Sequence, residues 1–161
     1  MRKLLWLSCV LAGNTFACDL KVASAWIRAA PSSAVALAGY AVLSNTGNKP
    51  LSVVNVQSLA FATIELHESL TENGIAKMRA IDKLEIAPGS KAEFAPGGKH
   101  FMLINPKSGL RSGDAVAVKI KDSNNCETTI NFRVSSDATA ATDAMDHSTM
   151  DHSKMDMSGS K

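Results

Sequence analysis

Between residues 20 and 134 no stretch sustains a helical period with caps at both ends, and this limits the possible folds more than any other feature. Apolar or alternating runs of four to eight residues recur instead, at 21–28, 37–44, 51–57, 63–69, 76–81, 91–94, 101–105, 115–121 and 128–134. Turn formers separate them: Asn45-Thr46-Gly47-Asn48, Glu72-Asn73-Gly74, Pro88-Gly89, Pro96-Gly97-Gly98 and Ser112-Gly113-Asp114. Residues 29–38 are rich in Ala and Ser and contain Pro31, so they read as a loop. Many short strands at this spacing predict an all-β Greek-key sandwich or barrel, and 161 residues suit a single core of that kind.

The two ends have a different character. Residues 1–17 read as a secretory signal: Arg2 and Lys3 form the positive end, residues 4–11 the apolar run, and Thr15-Phe16-Ala17 a small-residue cleavage site. The apolar run is too short to span a bilayer, so the expectation is an exported chain without membrane insertion, beginning at Cys18. Once Arg2 and Lys3 are removed, 15 Lys+Arg face 15 Asp+Glu. Residues 18–136 carry a net charge of +3 and residues 137–161 a net of −3, with no basic stripe in either part. Nucleic acid is excluded as a partner on that ground.

Cys9 leaves with the signal. Cys18 and Cys126 remain as an even pair in an oxidising compartment, which favours a disulfide; the alternative is a lipid-modified Cys18, although Thr15 fits that poorly. After Val134 a Ser/Ala/Thr/Asp linker leads into a repeat of period five. Met145-Asp146-His147-Ser148-Thr149 is echoed by Met150-Asp151-His152-Ser153-Lys154 and by Met155-Asp156-Met157-Ser158-Gly159. Without Val, Leu, Ile or an aromatic ring this stretch cannot bury enough surface to fold alone, so residues 137–161 are expected to form a disordered tail.

The placement of His and Met carries the chemistry. Apart from Met1, these residues occupy two places only: His67, Met78, His100 and Met102 in the domain, and Met145, His147, Met150, His152, Met155 and Met157 in the tail. The apolar runs use Val, Leu, Ile and Ala as core residues, so methionine is not acting as scattered filler. In a strand, residues two apart share a face, so His100 and Met102 point together while Phe101 and Leu103 point to the core. His67 and Met78 flank the Asn73-Gly74 turn and are expected across from one another on neighbouring strands. Two imidazoles and two thioethers would then converge. Neutral, polarisable sulfur selects Cu(I), whereas Zn(II), Mg(II) and Ca(II) prefer thiolate, imidazole or oxygen, and only Glu65 and Glu68 lie nearby as carboxylates. Taken singly, each of the four residues is better read as a surface histidine or a core methionine. Taken together, they point to a metal site. In the tail, Met supplies Cu(I) donors, and His with Asp and backbone nitrogen can hold Cu(II) at a second site.

The spacing of His67, ten residues, Met78, twenty-one residues, His100, one residue and Met102 resembles the motif of the periplasmic copper chaperones called PCu(A)C. Flanking segments are similar too: Ala25-Trp26-Ile27-Arg28-Ala29, Gly39-Tyr40-Ala41-Val42-Leu43-Ser44-Asn45, Glu65-Leu66-His67-Glu68 and Pro96-Gly97-Gly98-Lys99-His100-Phe101-Met102-Leu103. The resemblance covers residues 21–134; some family members also carry a His/Met-rich C-terminal extension. It implies a cupredoxin-like β-sandwich, monomeric and periplasmic, that binds Cu(I) and delivers it to the binuclear copper centre of cytochrome c oxidase, carried by subunit II, alongside Sco-type thiol proteins. Cys18 and Cys126 are not part of that motif. Copper storage or detoxification is the alternative role. A blue-copper carrier lacks its Cys-His pairing here, a copper redox enzyme normally uses more imidazoles than the domain's two, and a metal-free adhesion-type sandwich leaves the His/Met pattern without a purpose.

Overall fold

The computed structural model describes residues 18–136, which form ten strands. These are β1 (Leu20–Arg28), β2 (Ala36–Asn45), β3 (Leu51–Gln57), β4 (Phe61–Glu72), β5 (Ile75–Ala80), β6 (Leu84–Ile86), β7 (Lys91–Phe94), β8 (Lys99–Pro106), β9 (Ala115–Asp122) and β10 (Glu127–Ser135). Among the described residues there is no helix, and the all-β expectation holds. The signal segment 1–17 and the tail 137–161 lie outside the described residues.

The strands hydrogen-bond in the order β5-β4-β8-β2-β1-β10-β9-β3-β6, with β7 also paired to β2. The path does not close on itself: β5 and β6 stand at its two ends. β1 pairs antiparallel with β2 and parallel with β10, through Trp26↔Arg133, Ile27↔Val134 and Arg28↔Ser135. A bulge between Ala23 and Trp26, with Ser24 at a φ of 52°, bends β1 where the sheet folds over. On its edge away from β1, β2 serves two further neighbours, β8 along its first half and β7 along its second.

The fold-over is visible in the core. Phe101 of β8 meets Phe132 of β10 edge to face at 5.5 Å and stacks on Phe94 of β7 at 4.5 Å. β8 and β10 are separated in the sheet by β2 and β1, so their rings touch only because the sheet curls into two facing layers. Ile27, Leu43, Leu103, Val118 and Ile120 fill the same interior and are fully buried. Gly39 lets β2 pass close to β8: a Cβ there would lie 3.0 Å from Leu103 Cδ1 and 3.4 Å from the Phe101 Cβ.

The sequence pattern misses one strand and trims several others. β6 is three residues long and pairs with β3 through Leu51↔Ile86, Ser52↔Glu85 and Val53↔Leu84. It is too short to show a period, and buried Asn45 helps hold it by donating from Nδ2 to the Ile86 carbonyl at 2.9 Å. β4 runs two residues earlier and three later than its apolar pattern, because hydrogen bonding to β8 and β5 carries it past the last core side chain. Among the described residues no helix is long and apolar enough to cross a membrane.

Candidate metal centre

The four domain residues lie on β4, β5 and β8, at one end of the strand order. β4 and β5 are joined by the two-residue turn Asn73-Gly74, with φ of 52° and 77°. Positive φ at both positions is the hairpin geometry that Asn-Gly favours, and its short loop fixes the register. Counting back from Glu72↔Ile75 gives Ser69↔Met78 and His67↔Ala80. Met78 therefore sits diagonally from His67, and the expectation of a direct pair is corrected. The offset of two positions still leaves both on one face of the hairpin.

On the other side of β4, His67 pairs directly with His100 and Glu65 with Met102. The intervening Leu66 and Phe101 form the next pair and point into the core. Period-two alternation thus sends Glu65, His67, His100 and Met102 to the opposite face. The two imidazole rings lie 5.9 Å apart between centroids, tilted by 52°. Ala36 and Ala38 of β2 pair with Ile104 and Met102, so small side chains border the methionine on its far side. Burial is graded across the patch: His100 is buried, His67 and Met102 are intermediate, and Met78 on the edge strand is 55% exposed. Neither methionine belongs to the hydrophobic core.

The hydrogen bonds distinguish the two rings. His100 Nδ1 lies 3.2 Å from the Gly98 carbonyl oxygen, which can only accept, so Nδ1 carries the proton and Nε2 keeps its lone pair. His67 Nε2 lies 2.9 Å from Glu65 Oε2, while His67 Nδ1 is buried without a hydrogen-bond partner. Just past the patch, Glu68 accepts from Lys99 at 3.0 Å and pairs with Arg79 at 3.6 Å. The hydrogen bond from Lys99 and its charge, with a smaller effect from Arg79, hold the Glu68 carboxyl below the usual carboxylate range. That carboxylate is committed to cations and lies on the other side of the strand from His67.

Among the described residues no three His, Cys, Asp or Glu side chains are grouped to hold a metal ion. The patch brings together the two imidazoles, the Met102 and Met78 thioethers and the Glu65 carboxylate, which His67 engages at 2.9 Å. A groove of about 400 Å³ lined by Val54, Ile64, Glu65, Ala80 and Asp82, among others, reaches this patch only through Glu65 and Ala80. The histidines and methionines lie on a sheet face outside it, an arrangement suited to a small ion. Cys18 and Cys126 are distant in sequence and joined by a disulfide, with Cα atoms 5.7 Å apart. The six tail residues Met145, His147, Met150, His152, Met155 and Met157 lie outside the described residues.

A family model described as "LpqE-like: Putative lipoprotein LpqE-like" matches residues 20–134. The chain belongs to this LpqE-like family. The match runs from the start of β1 to one residue short of the end of β10, and takes in all four His/Met positions of the domain. "Putative lipoprotein Lxx21020" of Leifsonia xyli is 36% identical over 103 residues, which are 63% of this chain and 61% of that one. "Uncharacterized protein RP573" of Rickettsia prowazekii is 33% identical over 99 residues, 61% of this chain and 55% of that one. The LpqE-like chain thus spans less than two thirds of the curated relatives it matches. Among solved structures, the copper-bound PCuAC domain from PmoF2 aligns with a TM-score of 0.63 at 22% identity, covering 74% of this chain and 95% of that domain. The Cu(I) form of DR1885 from Deinococcus radiodurans aligns at 0.60 and 24% identity, covering 78% and 84%. The LpqE-like fold is therefore the cupredoxin-like fold of PCuAC domains, as the sequence resemblance implies.

Proposed function

We propose that this LpqE-like chain is a copper carrier of the cell envelope, not an enzyme, whose cargo is Cu(I) held by His67, Met78, His100 and Met102. The observation that carries the reading is the direct β4–β8 pairing of His67 with His100, with Met102 and Met78 on the same face. All four donors are neutral, so the ion keeps its single positive charge at a partly exposed surface, and thioether sulfur favours the cuprous state. Two solved relatives, the copper-bound PCuAC domain from PmoF2 and the Cu(I) form of DR1885, support the choice of metal.

Carriage follows from the gradient of exposure. His100 and His67 are the anchors, since the first is buried and both rings are oriented by hydrogen bonds. Met78 is a weak donor on an exposed edge strand and is the first to leave. An acceptor presenting thiolates then takes the ion stepwise by ligand exchange. The resemblance to PCu(A)C chaperones favours the binuclear copper centre of cytochrome c oxidase subunit II as destination, with Sco-type thiol proteins as co-workers; storage or detoxification is the second role compatible with the same site. A monomer suffices for either.

A periplasmic location with residues 1–17 cleaved before Cys18 fits this role, and a relative named as a lipoprotein supports an envelope address. The tail from 137 to 161 adds a second site, with Met145, Met150, Met155 and Met157 as Cu(I) donors and His147 and His152 as Cu(II) donors. Competition titration of the chain with and without residues 137–161 tests both parts. The expected result is one Cu(I) per molecule retained without the tail, and a loss of the additional Cu(I) and Cu(II) equivalents. Unchanged stoichiometry for both oxidation states would remove the tail from the account.

A further inference from the structure

The patch contains a carboxylate that the four-ligand reading does not use. Glu65 lies two residues before His67 on β4, on the same face, and opposite Met102. Its Oε2 is 2.9 Å from His67 Nε2, and its side chain is about half exposed. An ionised carboxylate can only accept, so this contact keeps a proton on Nε2. In a neutral imidazole the lone pair is then on Nδ1, and that is the atom found buried without a hydrogen-bond partner. A buried nitrogen lone pair facing no donor is costly unless something else fills the place. The other ring has the reverse arrangement, with Nδ1 engaged by Gly98 and Nε2 left open.

We infer that Glu65 is a positioning residue: its carboxylate holds the proton on His67 Nε2, so that His67 meets copper through Nδ1 while His100 meets it through Nε2. This rests on the Cu(I) reading of the site and adds to it the choice of atom on each ring. A partner on the non-ligating nitrogen fixes both the tautomer and the ring orientation, and losing such a partner typically weakens metal binding by about 10- to 100-fold. Glu65 is not itself a ligand in this scheme, because its carboxylate is already engaged and a neutral donor set suits the cuprous ion.

Long-range proton–nitrogen NMR of the full chain, labelled at histidine and loaded with one equivalent of Cu(I), tests the assignment. His147→Asn and His152→Asn variants identify the tail resonances. The expected spectrum has His67 as the Nε2–H tautomer before and after loading, with copper shifting its Nδ1 and the Nε2 of His100. Glu65→Ala is expected to mix the His67 tautomers and to weaken Cu(I) binding by about 10-fold or more. Glu65→Gln, whose amide oxygen still accepts from Nε2–H, should keep the tautomer and most of the affinity. Copper on Nε2 of both rings would overturn the inference while leaving the Cu(I) site intact. An equal loss for Gln and Ala would overturn it too, by making Glu65 a ligand. If neither domain histidine responds to Cu(I), the underlying reading falls with it.

Discussion

Replacing His67 or His100 with alanine is expected to weaken Cu(I) binding by about 100-fold or more, roughly 3 kcal/mol. The patch has two imidazoles, and the carboxylate beside them, Glu65, is already engaged by His67 Nε2 at 2.9 Å. A site left with one imidazole and two thioethers keeps only one of its two proposed anchors. Met102→Ala should follow closely, because Met102 is fixed on β8 two residues from His100 and shares its face. Met78→Ala should cost less, about 10-fold, because Met78 lies exposed on the edge strand and is the donor proposed to leave first. The measurement is competition with a chromophoric Cu(I) chelator, using chain without residues 137–161 so that tail sulfur does not mask the loss. Folding is followed in parallel by the fluorescence of Trp26, which is buried beside Tyr40 at 4.7 Å. Equal affinities for His67→Ala and the parent chain would remove His67 from the site.

The largest expected effect on stability comes from the disulfide. Cys18 lies just before β1, and Cys126 in the connection from β9 to β10, 108 residues away. The connection has hydrogen bonds of its own beside the bridge. Buried Asp122 accepts from the backbone of Asn124 at 2.8 Å and of Cys126 at 2.9 Å, and Asn125 takes a φ of 60°. The bridge therefore closes a long loop onto a hydrogen-bonded turn. By the chain-entropy argument a loop of this length contributes about 4 to 5 kcal/mol, a large share of the 5–15 kcal/mol typical of a domain. Cys126→Ser, or reduction of the parent chain, should lower the urea midpoint read by Trp26 fluorescence by a corresponding amount. Coincident unfolding curves with and without reductant would contradict this. The same sulfur bears on lipidation. A lipid thioether and a disulfide at Cys18 exclude each other, so intact mass without reductant should show two hydrogens fewer than the free dithiol.

What the sequence made legible follows the range of the interactions involved. Period two put His100 and Met102 on one face and Phe101 and Leu103 on the other, because alternation depends only on neighbouring residues. The hairpin was legible from Asn73-Gly74, yet the pairing of Met78 required the loop length: two turn residues place Ser69, not His67, opposite it. β6 escaped notice because three residues show no period, and it forms only against β3 and the Asn45 side chain. The insertion of β8 between β4 and β2 brings residues more than thirty positions apart into direct pairs, and no local pattern encodes it. Glu65 was visible as a nearby carboxylate but not as the partner of His67. Its spacing of two residues, which puts it on the same face, was the available signal.

X-ray absorption at the copper edge of Cu(I)-loaded chain lacking residues 137–161 counts the donor types around the ion, and so tests the two-His two-Met site. Two nitrogen and two sulfur neighbours are expected, with one sulfur lost in Met78→Ala and one in Met102→Ala. A shell of nitrogen and oxygen without sulfur, or one unchanged by both substitutions, would contradict it.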